Sequence, residues 1–181
     1  MTNQIKITNQ IIDTSLNKGF WIVVLHACRI PPHVGLLFNG NYFSLNLKGI
    51  EKNIELPVLL RTIELQNIKS VFIKVKKHPV FSVEYLKEVF ENDLSNYQKV
   101  TSKTTCFKPV KLFFEEHYLF CSQPVNFLFE LFSPLMKNEM IEKTIALNLI
   151  EEIVEGNFTF NNYNAKDIND KLASIKSTHH D

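Results

Sequence analysis

Glycine and proline are scarce in this chain, with five and seven residues among 181. Fibrous and low-complexity proteins contain far more of both, so the scarcity argues against those classes. Apolar residues make up 45% of the sequence and include 15 phenylalanines, which is enough for a sizeable core. Because domains cluster at roughly 100–150 residues, we expect one domain.

Cysteine is also rare, and its placement matters more than its number. Cys28, Cys106 and Cys121 form an odd set without a close pairing pattern, unlike the frameworks of small secreted domains. We therefore expect free thiols in a reducing compartment. Residues 1–6 lack the basic segment and apolar run of a signal peptide, so a cytoplasmic protein is expected.

Long apolar runs and an excess of one charge are both missing. The longest apolar stretch, Phe20 to Leu25, is far shorter than the ~20 residues that a bilayer span requires, so no integral membrane protein is expected. Lysine plus arginine total 20 and aspartate plus glutamate total 19, which gives no general attraction for nucleic acid. The sequence leaves the oligomeric state open.

A β-hairpin is the clearest local feature that is present. The apolar runs His33 to Phe38 and Asn41 to Leu47 flank Asn39-Gly40, a pair typical of two-residue turns with positive φ. The β-branched and aromatic run 20–28 precedes the hairpin and predicts a buried strand.

Helix and strand signals alternate after the hairpin. The predicted elements are a helix from Pro57 to Leu65, a strand from Val71 to Lys76, a helix from Ser82 to Asn92 and a helix beginning near Cys106 behind a Thr104 or Thr105 cap. Near the C-terminus, a four-residue repeat predicts a helix that ends at Gly156. Its members are Ile141, Ile145, Leu149 and Ile153. Asn164 is a suitable cap for a last helix.

Cys106 is the candidate nucleophile, because a helix N-terminus stabilises a thiolate. Cys28 ends a buried strand and Cys121 lies in an apolar run, so neither has this advantage. The hairpin supplies a candidate general base in His33. If Asn39-Gly40 forms the turn, Asn46 lies opposite His33 and is the first candidate to orient the imidazole.

Ser44, opposite Gly35, is the next candidate to orient the ring.

Three motifs follow one another in the chain. They are a strand that begins His33-Val34-Gly35, a second strand from Tyr42 to Leu47, and a helix that opens at Thr104-Thr105-Cys106. This arrangement resembles the circularly permuted branch of the NlpC/P60 papain-like superfamily, which includes lecithin retinol acyltransferase-like and YiiX-like proteins. The resemblance covers residues 20–120.

The resemblance implies an α+β papain-like fold, with an antiparallel sheet and packed helices. It also implies a cysteine hydrolase or acyltransferase with Cys106 as nucleophile, His33 as general base and Asn46 or Ser44 as third member. The substrate would be a peptide, a peptide-like molecule or a lipid ester. The expected organisation is an irregular segment 1–19, a papain-like core 20–120, a helical extension 121–176 and a tail 177–181.

A non-catalytic binding or scaffolding protein with the same fold is the alternative. In that case Cys106 is a small buried apolar residue, His33 follows the Pro31-Pro32 turn at a strand edge, and Asn46 is an ordinary exposed polar residue. His26 with Cys28, and His117 with Cys121, each supply half of a zinc site. Neither has a second pair at the usual spacing, so no metal and no cofactor are expected.

Overall fold

The computed structural model describes residues 3–118 and 125–177. The strands are β1 (Gln4–Lys6), β2 (Phe20–Leu25), β3 (His33–Phe38), β4 (Asn41–Leu45), β5 (Ile50–Glu55), β6 (Ser70–Val75), β7 (Ile141–Leu147) and β8 (Asn157–Thr159). The helices are α1 (Leu56–Leu65), α2 (Val83–Leu94), α3 (Phe107–His117), α4 (Leu128–Lys137) and α5 (Ala165–Ser177). The architecture is α+β, as the sequence predicts.

Six strands form one antiparallel sheet in the order β5-β4-β3-β2-β6-β7, while β1 and β8 pair separately. The sheet is covered on both faces, and all six residues of β2 are buried. Phe20, Ile22 and Val24 belong to the face that packs against α2, α3 and α4, which we call the α3 face. The opposite face, which we call the α1 face, carries Trp21 and Val23 and packs against α1.

The predicted hairpin is confirmed. Asn39 and Gly40 have φ values of 45° and 80°, the positive values that a tight turn between twisted strands requires. The register pairs Phe38 with Asn41 and Gly35 with Ser44. The strand assigned to residues 20–28 is also found, although it ends at Leu25.

The predicted helix over residues 141–153 is wrong, because residues 141–147 form β7. This strand pairs with β6, with Ser70 opposite Leu147 and Phe72 opposite Ile145. Residues four apart share a face in a strand as well as in a helix, so the isoleucine spacing fits either element. Gly156 lies in a turn before β8 with φ 75° and ends no helix.

Residues 121–176 are therefore not a helical extension in the part that the structure describes, since they supply β7 and β8 as well as α4 and α5. The first 19 residues are likewise not wholly irregular, because they contain β1 and a 3₁₀ segment over Thr14–Asn17. Helices α1, α2, α3 and α5 lie where they were predicted, and Asn164 caps α5 by accepting from the N–H of Lys166 at 2.8 Å. Within residues 3–118 and 125–177, no helix has both the length and the apolar character that crossing a bilayer requires.

Candidate functional site

A cavity of about 580 Å³ opens where β3 begins. The start of β3, the β4–β5 turn, the N-terminus of α3, the segment before α4 and one side of α5 surround it. Its lining includes three of the predicted site residues, namely His33, Asn46 and Cys106. The fourth, Ser44, lies behind this lining and is 1% exposed.

Cys106 is the N-cap residue of α3, where the sequence suggested Thr104 or Thr105. Its side chain makes no capping hydrogen bond, and its sulfur lies 3.8 Å from the carbonyl oxygen of Pro32. Burial raises the pKa of the thiol, and backbone N–H groups, including those of Val34 and Phe107, oppose this increase. The thiol is therefore neutral at rest but has donors in place for a developing negative charge.

His33 is the first residue of β3, and its Nε2 lies 3.2 Å from the Oγ of Ser44. Burial lowers the pKa of His33, the negative charge of Glu51 raises it, and His26 lowers it further. The imidazole is thus a neutral base near pH 7.

Glu51 is a member of the site that the sequence analysis missed. It lies on β5 opposite Ser44, and the Ser44 hydroxyl donates to Glu51 Oε2 at 2.5 Å. The second strand of the predicted hairpin ends at Leu47 with no strand expected after it, whereas the chain turns there and returns as β5. An Asn and a Gly three residues apart after an apolar strand were the available signal for that turn.

Asn46 does not orient the imidazole as predicted. Its Oδ1 accepts from the backbone N–H of Lys48 at 2.8 Å and of Gly49 at 3.0 Å, which closes the β4–β5 turn. The hairpin register that placed Asn46 near His33 is correct, but this turn occupies the side-chain oxygen. Ser44, the second candidate, is the residue that contacts the ring.

Cys106 and His33 line one cavity, but no hydrogen bond joins these two described residues. The register explains their separation. His33 lies opposite Leu25 on the α1 face of the sheet, whereas Cys106 packs with the cluster on the α3 face. Because His33 is the first residue of β3, its ring reaches the cavity from one side of the strand and Cys106 reaches it from the other.

A different set of side chains could hold a metal. Among the described residues, Asp93, Glu116 and His117 place one ligand atom each within 4.8 Å of one another, where α2 meets α3. The imidazole Nε2 of His117 is buried without a hydrogen-bond partner in this part of the chain, while Glu116 is exposed. Of the pairs considered from sequence, Cys121 lies outside the described residues, and His26 with Cys28 joins no group of three described ligands.

The fold and the cavity define an α+β domain with a thiol and an imidazole at one end of an antiparallel sheet. No protein-family model matches the chain, and no curated protein or solved structure matches it. The resemblance to the permuted NlpC/P60 branch therefore stays a prediction.

Proposed function

We propose that the chain is a cysteine-dependent hydrolase or acyltransferase with a papain-like site, acting on an amide, isopeptide or ester bond. The observation that carries the proposal is that Cys106 and His33 line one cavity, with backbone N–H groups beside the sulfur. A helix N-terminus next to a thiol is suited to acyl transfer, because the same donors stabilise an oxyanion.

The reaction begins from a neutral pair. As the sulfur attacks the substrate carbonyl carbon, the thiol proton passes to His33, directly or through one water molecule. The N–H groups at the start of α3 stabilise the oxyanion. The carbon–leaving-group bond then breaks, the amine or alcohol takes the proton from the imidazolium, and a thioester remains on Cys106. Water or an acceptor alcohol or amine attacks the thioester and restores the thiol.

Non-catalytic binding is the second candidate, and a specific observation favours it. The sulfur donates to Pro32 O and the imidazole contacts Ser44, so each group has its own partner. The cavity also has an apolar wall, which α5 supplies through Ile168, Leu172 and Ile175. An apolar ligand could occupy the cavity without reacting.

Acylation of the intact protein separates the two candidates. The chain is mixed with an activated ester, and released alcohol and protein mass are followed together at neutral pH. We expect a burst of about one alcohol per chain, an acyl adduct on Cys106, no burst for Cys106→Ala and an unchanged burst for Cys28→Ala. Stabilisation of the protein by an acyl ligand without any adduct would favour the binding candidate and refute the enzyme.

A further inference from the structure

Three neighbouring strands place polar side chains in a row at the cavity, with His33 of β3 and Glu51 of β5 in the lining and Ser44 of β4 between them. Gly35 of β3 lies opposite Ser44 of β4, which lies opposite Glu51 of β5. The Ser44 oxygen is 3.2 Å from His33 Nε2 and 2.5 Å from Glu51 Oε2. Because Ser44 is only 1% exposed, solvent does not compete for these contacts.

The number of protons in this row determines their positions. A carboxylate only accepts, so the single hydroxyl proton of Ser44 points to Glu51. The Ser44 oxygen then presents a lone pair to His33, and Nε2 must carry the proton of that hydrogen bond. The other nitrogen, Nδ1, has no hydrogen-bond partner among the described residues and holds the free lone pair of the neutral ring.

Without the carboxylate, this assignment is lost. A serine hydroxyl that is free to rotate can donate to Nε2 as readily as it accepts from it. If the hydroxyl donates to Nε2, the ring proton lies on Nδ1. Nδ1 then has no lone pair with which to accept a proton.

We infer that Glu51 is a positioning residue, which acts through Ser44 to hold His33 in the tautomer with the proton on Nε2. The nitrogen left to accept a proton is then Nδ1. The tautomer itself does not depend on the function proposed above, whereas its catalytic consequence rests on that function.

Nitrogen NMR of the histidine rings tests the tautomer directly. The chain is labelled with ¹⁵N-histidine, the His33 signals are assigned with His33→Gln, and long-range proton–nitrogen spectra are recorded at pH 8. We expect wild-type His33 to show a protonated Nε2 and an unprotonated Nδ1. In Glu51→Ala and Ser44→Ala, the two shifts should move towards each other or exchange. The control is Glu55→Ala, an exposed glutamate on the same strand, and it should match wild type.

A protonated Nδ1 in the wild type would overturn the inference without any variant. Wild-type shifts in folded Glu51→Ala would overturn it as well, because the inference assigns the tautomer to Glu51. Circular dichroism identifies variants that have not folded, and the wild-type spectrum decides the inference if Glu51→Ala is among them.

Kinetics then separate this inference from the proposed function. If turnover depends on Cys106, Glu51→Ala should lower kcat ~10–100-fold with little change in KM, less than the full 10²–10⁴-fold contribution of a general base. Turnover that persists in Cys106→Ala would refute the proposed function and leave the tautomer assignment standing. Normal kcat in Glu51→Ala with altered nitrogen shifts would refute only the catalytic consequence.

Discussion

At the scale of single residues, burial acts on the thiol and the imidazole in opposite directions. It raises the pKa of Cys106 above its usual value of 9.0 and lowers the pKa of His33 below its usual value of 6.5. Both shifts disfavour the charged form, so the resting site contains no ion pair. Proton transfer must then accompany attack rather than precede it.

This neutral pair predicts the pH dependence of the proposed reaction. His33 is an active base only when unprotonated, and its lowered pKa means that half of the rings become protonated only at some pH below 6.5. The acidic limb of kcat/KM for ester cleavage should therefore have its midpoint below 6.5, which a pH–rate profile measures. A midpoint at or above 6.5 would show that the charged imidazole is stabilised, contrary to the effect of burial.

Gly35 is required by close packing within the hairpin. A Cβ at this position would lie 2.4 Å from the backbone oxygen of Phe43 and 2.5 Å from the ring of Tyr42. Gly35→Ala should therefore lower the free energy of unfolding by about 1–3 kcal/mol, as overpacking does, in urea denaturation. Gly156→Ala is the comparison, because its Cβ would meet nothing within 4 Å and only its φ of 75° opposes the change. Equal losses in the two variants would contradict the packing argument.

The hairpin also shows how far side-chain contacts follow from sequence. The Asn39-Gly40 turn correctly predicts that Ser44 lies opposite Gly35. The choice between Ser44 and Asn46 as partner of His33 depends on β5, which the sequence analysis did not recognise. Glu51 engages Ser44 from that strand, and the turn before it occupies Asn46. The local Asn39-Gly40 pattern determines the register of β3 and β4, whereas β5 determines which residue contacts His33.

At the scale of elements, the strong local signals predicted most of the architecture. Pro57 lies near the start of α1 and Ser82 caps α2 by accepting from the N–H of Tyr85 at 3.1 Å. Within the six-stranded sheet, the exceptions are β5 and β7, its two outermost strands. The sequence of β5 is largely polar, and the isoleucine spacing of β7 also fits a helix, so pairing with neighbouring strands determines both elements.

Helix α5 forms one wall of the cavity that contains Cys106, so we expect it to limit how easily a reagent reaches the thiol. Leu172 lines the cavity, yet the buried hydrophobic core among described residues ends at Tyr163, before this helix begins. Leu172→Asp should therefore loosen the wall and speed alkylation of Cys106 by iodoacetamide several-fold, with little change in melting temperature. Asn169→Asp makes the same charge change at an exposed position of α5 that does not line the cavity. Equal alkylation rates in the two variants, measured by mass spectrometry, would show that α5 does not limit access.

At the scale of the whole molecule, the C-terminal part completes the main sheet. Strand β7 pairs with β6 from Ser70 to Val75, and Phe132 of α4 is fully buried in the core on the α3 face. The N-terminal segment contacts β7, since the N–H of Thr8 donates to the carbonyl of Thr144 at 3.1 Å. The cysteine and histidine therefore depend on chain segments that lie far beyond residue 120.

Truncation tests this dependence. A chain ending at residue 120 would leave the β6 edge unpaired and remove α4 from the α3 face, so we expect it to lack a cooperative unfolding transition. A chain ending at residue 164 keeps β7, β8 and Tyr163 and loses only α5 and the tail, so it should melt cooperatively. Thermal melts followed by circular dichroism compare the two chains. Cooperative melting of residues 1–120 would mean that the site forms on a smaller domain, and that β7 adds to a sheet already stable without it.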